Sequence, residues 1–449
     1  MNIKYLYIAL YAFCLCGCDD FLDIQPTGKI IAETGAEYRA LLTDVYSTIP
    51  EDRGLTTLRT DEMAADASSM KSLDYDSYFD IWNWTDYNRS PSSLYFGWRR
   101  YYHSCYIANY LIEHKGAITK ATKDEIDQMV GESYMIRAYM HFLLANLYAP
   151  AYTKCIPAET RGIPLQLEAD VNAVLKCGSL EKVYSQVLED IDSAAVYLNV
   201  DRWEEGYTYR FNTVTAHALR ARVALYMGDW GKAFGEAEKV IAEYPELEDL
   251  RTSTKLPTNY KSVESIMALE QVITPVLMGV GHAEPALISS YRSGDKRQKM
   301  YFTPKTLTRW VYRERNSSEE RCTFRAAEFY LIAAEAANEL DNSEAALKYI
   351  KALMEKRYTD AKYAEYSAAL DALDKDALRD EIAAERQREL AYQGHRWFDL
   401  RRTAQPEIRK TFKDGDTEEP YVLSQGDERY TLHFPAEAVA ANPEIENWN

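Results

Sequence analysis

Apolar side chains return every three and four positions along much of this chain. That spacing predicts amphipathic helices over Tyr38–Tyr46, Trp98–His114, Asp124–Leu147, Leu180–Leu198, Asn212–Met227, Lys232–Tyr244, Phe324–Leu340, Glu344–Lys356 and Leu378–Gln393, each with one face to bury. Ser179 and Ser343, each just ahead of such a run, are expected N-caps. The stretches 50–95, 149–178, 245–320 and 403–449 show no clear helical period and read as long loops. Loops of that length in a folded domain tend to carry function.

Two of the helical runs share a finer pattern. In one, Ala221 is followed by Ala233 and Pro245 at equal spacing; in the other, Ala334 is followed by Ala346. Small residues there let two antiparallel helices approach closely across a Gly-Asp or Asp-Asn turn, as in tetratricopeptide hairpins. A third candidate begins at Glu132–Ala138 and resumes at Leu180–Leu198 after an inserted loop. The expectation is an all-α fold with tetratricopeptide-like units near 131–198, 212–245 and 324–357, inside a single domain over 35–449. Three ordinary amphipathic hairpins remain the alternative.

The first residues carry a different message. Lys4 precedes an apolar stretch from Tyr5 to about Phe13, the pattern of a signal peptide over 1–17, too short to span a bilayer comfortably. Leu15-Cys16-Gly17-Cys18 resembles a lipobox, which implies lipidation and cleavage at Cys18. Several acyl chains on one residue give stable anchoring where one is marginal. Residues 18–34 then read as a tether. Cys14, Cys16 and Cys18 have a spacing that soft metals accept, but they lie in and at the end of an apolar leader with no partnering His, so no metal is expected. Cys105, Cys155, Cys177 and Cys322 lack CxxC spacing, and a pairing of Cys155 with Cys177 is left open.

The net charge is −18, and loss of Lys4 with the leader makes the mature chain one unit more negative. With no Lys/Arg-rich run, such a chain is poorly suited to displacing counterions from a phosphate backbone, which excludes nucleic acid as the expected partner.

Several segments resemble the SusD/RagB family, in order and across essentially the whole mature chain. CDDFLDIQPTGKII (Cys18–Ile31) is similar to its lipoprotein start, and GESYMIRAYMHFLLANLYA (Gly131–Ala149) to its first long repeat helix. Tyr291, Asp295 and Arg297 resemble its Tyr…Asp-x-Arg segment, and RAAEFYLIAAEA (Arg325–Ala336) its last repeat helix. The stretch Ala383–Arg402 resembles its most distinctive motif through Glu385-Arg386, Glu389-Leu390, Gly394, Arg396-Trp397, Asp399-Leu400 and Arg401. Pro435, Glu437, Asn442 and Pro443 end the chain as the family does. The resemblance implies a helical fold with a loop-rich face, and outer-membrane display toward the outside, with Asp19-Asp20 resembling an export signal. It also implies partnership with a SusC-type TonB-dependent transporter. The ligand it implies is an oligosaccharide, or alternatively an oligopeptide.

No HExxH, GxSxG, P-loop or strand-linked GxGxxG pattern occurs, and Glu385, Arg386 and Glu389 read as an ion-paired helix face rather than paired catalytic carboxylates. No catalytic residue and no cofactor is expected; a glycan hydrolase and a pure interaction scaffold remain rival classes. Arg396, Trp397, Asp399 and Arg401 are read as fold-holding. The aromatic-rich segment Tyr75–Trp98, read as mostly non-helical until Ser92, is the first candidate for ligand contact. Its Trp82, Trp84 and Tyr87 offer flat faces to sugar rings, with Asn83 and Asn88 for hydroxyls. The loop 245–320 adds Tyr260, Tyr291, Trp310 and Tyr312.

Overall fold

The computed structural model describes residues 32–85, 96–272, 274, 279–307, 309–313 and 317–445. The leader, Cys18, all of the tether but its last residues, Tyr87 and Asn88 lie outside them. The helices are α1 Gly35–Ser47, α2 Asp52–Leu55, α3 Ser72–Trp82, α4 Arg99–His114, α5 Lys123–Tyr148, α6 Leu180–Tyr197, α7 Thr213–Met227 and α8 Trp230–Glu243. They continue as α9 Pro285–Ser290, α10 Arg297–Tyr301, α11 Ala326–Glu339, α12 Ser343–Glu355, α13 Asp360–Leu370, α14 Lys375–Leu390, α15 Arg396–Arg402 and α16 Ala436–Ala441.

These helices stack in near-sequential order: α4 on α5, α5 on α6, α6 on α7, α7 on α8, α8 on α11, and α11 on both α12 and α14. Helix α5 runs through the middle. Its polar first turn is closed by a capping box, Thr122 Oγ1 accepting from Glu125 N while Glu125 Oε2 accepts from Thr122 N, and from Gln128 onward every residue but Tyr134 is buried. At its other end the buried guanidinium of Arg401 donates to the carbonyls of Asn146 and Ala149, placing a positive charge where the helix dipole is negative. Helix α7 ends on Gly228, whose φ of 73° is left-handed, and Asp229 caps α8, so a two-residue turn folds one helix back on the other. Ala221, Ala233, Ala334 and Ala346 are all fully buried, which is what lets these hairpins close.

Ser179 caps α6 as expected, its hydroxyl accepting from Lys182 N. At α12 the cap is Asn342, accepting from Ala345 N, and the expected Ser343 is the first helical residue; the amide of Asn342 is reached first, behind Asp341 at φ 59°. Within the 50–95 stretch, residues 72–82 form α3, correcting the non-helical reading. In the final stretch β9 (Ile408–Asp414) pairs antiparallel with β10 (Thr417–Leu423) across Gly415-Asp416. Among the described residues there are four other two-stranded antiparallel ladders. They are β1 (Met63–Ala64) with β5 (His282–Ala283), β2 (Arg161–Pro164) with β3 (Cys177–Ser179), β4 (Ser265–Met267) with β8 (Phe324–Arg325), and β6 (Phe302–Pro304) with β7 (Trp310–Tyr312). Cys155 and Cys177 are free thiols.

The face of α14 expected to be an ordinary ion-paired surface lies inside the molecule. Glu389 receives Arg297 at 3.0 Å, Arg325 at 2.7 Å and Arg357 at 2.8 Å, and all four side chains are at most 1% exposed. Glu264 is shared by Arg325 and Arg357 at 2.8 and 2.6 Å, while Glu385 holds Arg297 at 2.7 Å and Arg388 at 2.6 Å. Asp295 completes the set on Arg297 at 2.8 Å. Burial pushes the Glu389 carboxyl up, but Arg357, Arg325 and Arg297 outweigh it and hold the group well below the ordinary range. Tyr291 donates to the Arg388 carbonyl at 2.9 Å, so the Tyr…Asp-x-Arg segment and the α14 motif are two halves of one buried network.

Candidate functional site

The loop-rich side is assembled from the ladders rather than the helices. Strand β1 joins β5, β5 packs beside β7, and β1 also meets β9, so segments far apart in sequence share one surface. A parallel bridge between Asp66 and Lys413, with Ala67 N donating to Lys413 O at 2.9 Å, ties the loop after β1 to the hairpin.

Trp82 and Trp84 lie beneath this surface. Both are fully buried, and their indole N–H groups donate to Met63 O at 3.1 Å and Arg59 O at 2.9 Å. The Lys410 amine, buried and with its pKa pulled well down by that burial, sits over both rings and donates to the carbonyls of Leu58 at 2.5 Å and Trp82 at 3.0 Å. These tryptophans have no face left for a sugar in this conformation; the hairpin covers them. Asn83 is buried too, its carbonyl accepting from the Thr85 hydroxyl at 2.6 Å. Tyr291 is spent on the ionic network, and Tyr312 lies stacked on Tyr392 at 5.6 Å and edge-on to Phe302 at 5.6 Å. The same structure therefore moves five of the aromatic and amide candidates into the core.

Rings do reach the surface around them. Tyr75 is 38% exposed and stacks on Phe79 at 4.2 Å, with Phe412 edge-on at 5.7 Å. Tyr421, half-buried on β10, meets Phe79 edge-on at 5.6 Å. Trp310 is half-buried on β7, and its neighbour Arg309 donates to Ser68 Oγ at 2.7 Å and lies 3.7 Å from Asp66. Burial pushes the Asp66 carboxyl up, but Ser68, the Ser69 amide and Arg309 outweigh it, so the group is ionised. His282 is held neutral by burial and by Arg309. Half-exposed ring faces beside an anchored carboxylate, guanidinium and neutral imidazole suit a ligand with apolar ring faces and many hydroxyls.

Tyr260 stays half-buried at the surface but beside Lys261 and the loop preceding α7, not with Trp310. Sequence reasoning missed Tyr421, Arg309, Asp66 and His282. The available signal was the Gly415-Asp416 turn between two seven-residue runs, which marks a hairpin and, with the alternation of Ile408, Lys410 and Phe412, would have placed Phe412 inward. No group of His, Cys, Asp and Glu suited to a metal occurs among the described residues, and none of their helices is long and apolar enough to cross a membrane. The carboxylates of Glu385 and Glu389 are enclosed by arginines and reach no substrate.

Comparison with known proteins places this geometry. Residues 20–225 match the family described as starch-binding, associating with the outer membrane, and residues 288–445 match the SusD family. A SusD-like protein of Formosa agariphila is 21% identical over 90% of this chain and 91% of its own. A SusD superfamily protein of Bacteroides thetaiotaomicron superposes with TM-score 0.74 at 18% identity, covering 92% of this chain and 99% of that one. A laminarin-binding SusD-like protein superposes with TM-score 0.64 at 17% identity, covering 93% and 99%.

Proposed function

We propose, from the premise that this chain belongs to the SusD/RagB family, that it is a non-catalytic receptor that captures an oligosaccharide at the outer membrane. In this reading Cys18 carries the lipid, the protein faces outward, and the captured chain passes to a SusC-type TonB-dependent transporter. The stacked hairpins α5–α6, α7–α8 and α11–α12 act as tetratricopeptide-like units, a stiff frame for that transfer. The ligand lies across Trp310, Tyr75 and Tyr421, with Asp66, Arg309 and His282 taking hydroxyls. The observation that carries the reading is the placement of half-exposed rings beside anchored polar groups on a surface whose underlying tryptophans are locked by Lys410. A pre-organised platform of this kind loses little entropy on binding. The family description and the laminarin-binding neighbour support a glycan as the ligand class.

Calorimetry on the full chain in mild detergent tests it, with soluble starch, laminarin, their short oligosaccharides and a mixed peptide panel. Trp310→Ala is expected to weaken saccharide binding by about 2 kcal/mol, ~30-fold, at unchanged melting temperature. Heats from peptides alone would replace the glycan reading with an oligopeptide one. Co-purification with a large barrel from native membranes checks the transporter partner, and release of Cys18→Ala from the membrane fraction checks the anchor.

A further inference from the structure

The loop between α6 and α7 carries a concentration of rings that the proposed platform does not use. Trp203 is half-buried, and its indole N–H donates to Phe211 O at 3.0 Å. Tyr207, 40% exposed, lies 6.4 Å from it, ring centre to ring centre. The Arg210 guanidinium sits over Tyr207 at 4.4 Å and over Trp203 at 5.2 Å, and donates twice to the Tyr209 hydroxyl. Tyr260 joins from the next loop: Lys261 lies over its ring at 5.2 Å and pairs with Glu205 at 3.0 Å. Clustered with Trp203 and held under Arg210, the 40%-open Tyr207 ring offers a flat face to a partner.

This surface and the hairpin of the first are anchored at opposite ends of α5. The loop is anchored on the N-terminal part of α5, where Gln128 donates to Phe211 O and accepts from the amides of Asn199 and Val200. The chain flanking the β9–β10 hairpin, which carries Tyr421, reaches α5 at its other end, where Leu432 N donates to Leu147 O and Arg401 holds Asn146 and Ala149. Between those anchor points the helix rises roughly 28 Å at ~1.5 Å per residue.

We infer that Trp203, Tyr207 and Tyr260 form a second saccharide-binding surface, which takes another stretch of the same neutral, hydroxyl-rich polymer. The charge pattern selects a neutral chain. Arg210 is engaged with rings and a phenol, Lys261 with Glu205, and Arg202 with the Tyr244 ring and Glu243 O, while the carboxylates of Asp201 and Glu204 stand exposed. No uncommitted cation is left in this set for an acidic polymer, and the carboxylates accept hydroxyl hydrogens. Two surfaces on one frame hold a polymer more tightly than either alone, because the second contact is intramolecular.

The inference rests on the glycan reading, and the test separates the two. The full chain and its Tyr207→Ala and Tyr207→Phe variants are titrated with the same starch and laminarin panel, short oligosaccharides for stoichiometry and polymers for apparent affinity. Tyr207→Ala is expected to lower the stoichiometry for short oligosaccharides from two to one and weaken polymer binding by about tenfold or more. Tyr207→Phe, which keeps the flat face, is expected to restore both. One site in the unaltered chain, with Tyr207→Ala unchanged, overturns the second surface alone. So does a Tyr207→Ala variant that loses only its co-purification with a barrel, which would make the patch a protein contact. Silence of the unaltered chain toward every saccharide overturns both readings.

Discussion

Replacing Glu389 by Gln keeps its shape and removes the one anion that three buried guanidiniums share. Arg297 retains Asp295 and Glu385, but Arg325 and Arg357 are left to divide Glu264. The new amide also turns an N–H toward groups that only donate. Breaking a buried ion pair from one side costs about 3–5 kcal/mol, and two guanidiniums are short of charge here, so a loss near the top of that range is expected. Against a total stability of about 5–15 kcal/mol, that is enough to shift a urea midpoint visibly. Tryptophan fluorescence during urea unfolding reads it, with Glu365→Gln as a surface control, since among the described residues that exposed carboxylate pairs with the neighbouring Lys362 alone. The pH course adds a second check. The folded Glu389 carboxyl sits below its ordinary value of 4.5, so its contribution is complete above that value and lost as pH falls through the depressed one. The difference between the two proteins is therefore constant near neutrality and shrinks only in acid. A Glu389→Gln protein with the parent's midpoint at neutral pH would refute the picture of a charged, load-sharing network.

Glu62 shows the opposite sign. Burial, and the neighbouring Asp61, push its carboxyl up to about 8, so the folded protein loses stability as pH rises from 4.5 to about 8. Glu62→Gln is expected to melt higher than the parent at alkaline pH, by at most a few kcal/mol at ~1.4 kcal/mol per unit, with the gain fading toward pH ~4.5. An advantage equal in acid and base would contradict it. Gly394 has φ +68°, and a Cβ there would lie 2.5 Å from Arg53 O. Gly394→Ala is expected to cost roughly 2–3 kcal/mol or more, whereas Gly235→Ala, in open space on α8, is expected to gain ~0.5–1 kcal/mol; thermal unfolding compares them.

The helical frame was legible because its signal is local. Periodicity located α4–α8, α11, α12 and α14 within a few residues, and Gly228-Asp229 announced the turn between α7 and α8. Helix α3 is hard to see in the sequence because its aromatics and acids resemble a ligand loop, although Tyr75 and Phe79 lie one turn apart on a single face. The candidate site was less legible, for a reason of distance. Whether Trp82 and Trp84 meet ligand or core is decided by Lys410 and Phe412, more than three hundred positions later, and nothing near the tryptophans reports that cover. The same holds for Glu389, whose spacing from Glu385 looks like any solvated helix face until Arg297, Arg325 and Arg357 arrive from other elements.

The ladders of the loop-rich side bear on how such a protein changes over evolutionary time. Each of the five described ladders contains only two strands, and none extends into a shared sheet, so no register propagates from one to the next. The helices beneath are joined by turns as short as two residues and by buried alanines that tolerate little. Insertions and deletions on the loop-rich side are absorbed within a single ladder at small entropic cost, while the stack stays as it is. A lineage built this way can exchange its loop-rich surface piecemeal, one loop at a time, without refounding the body that presents it.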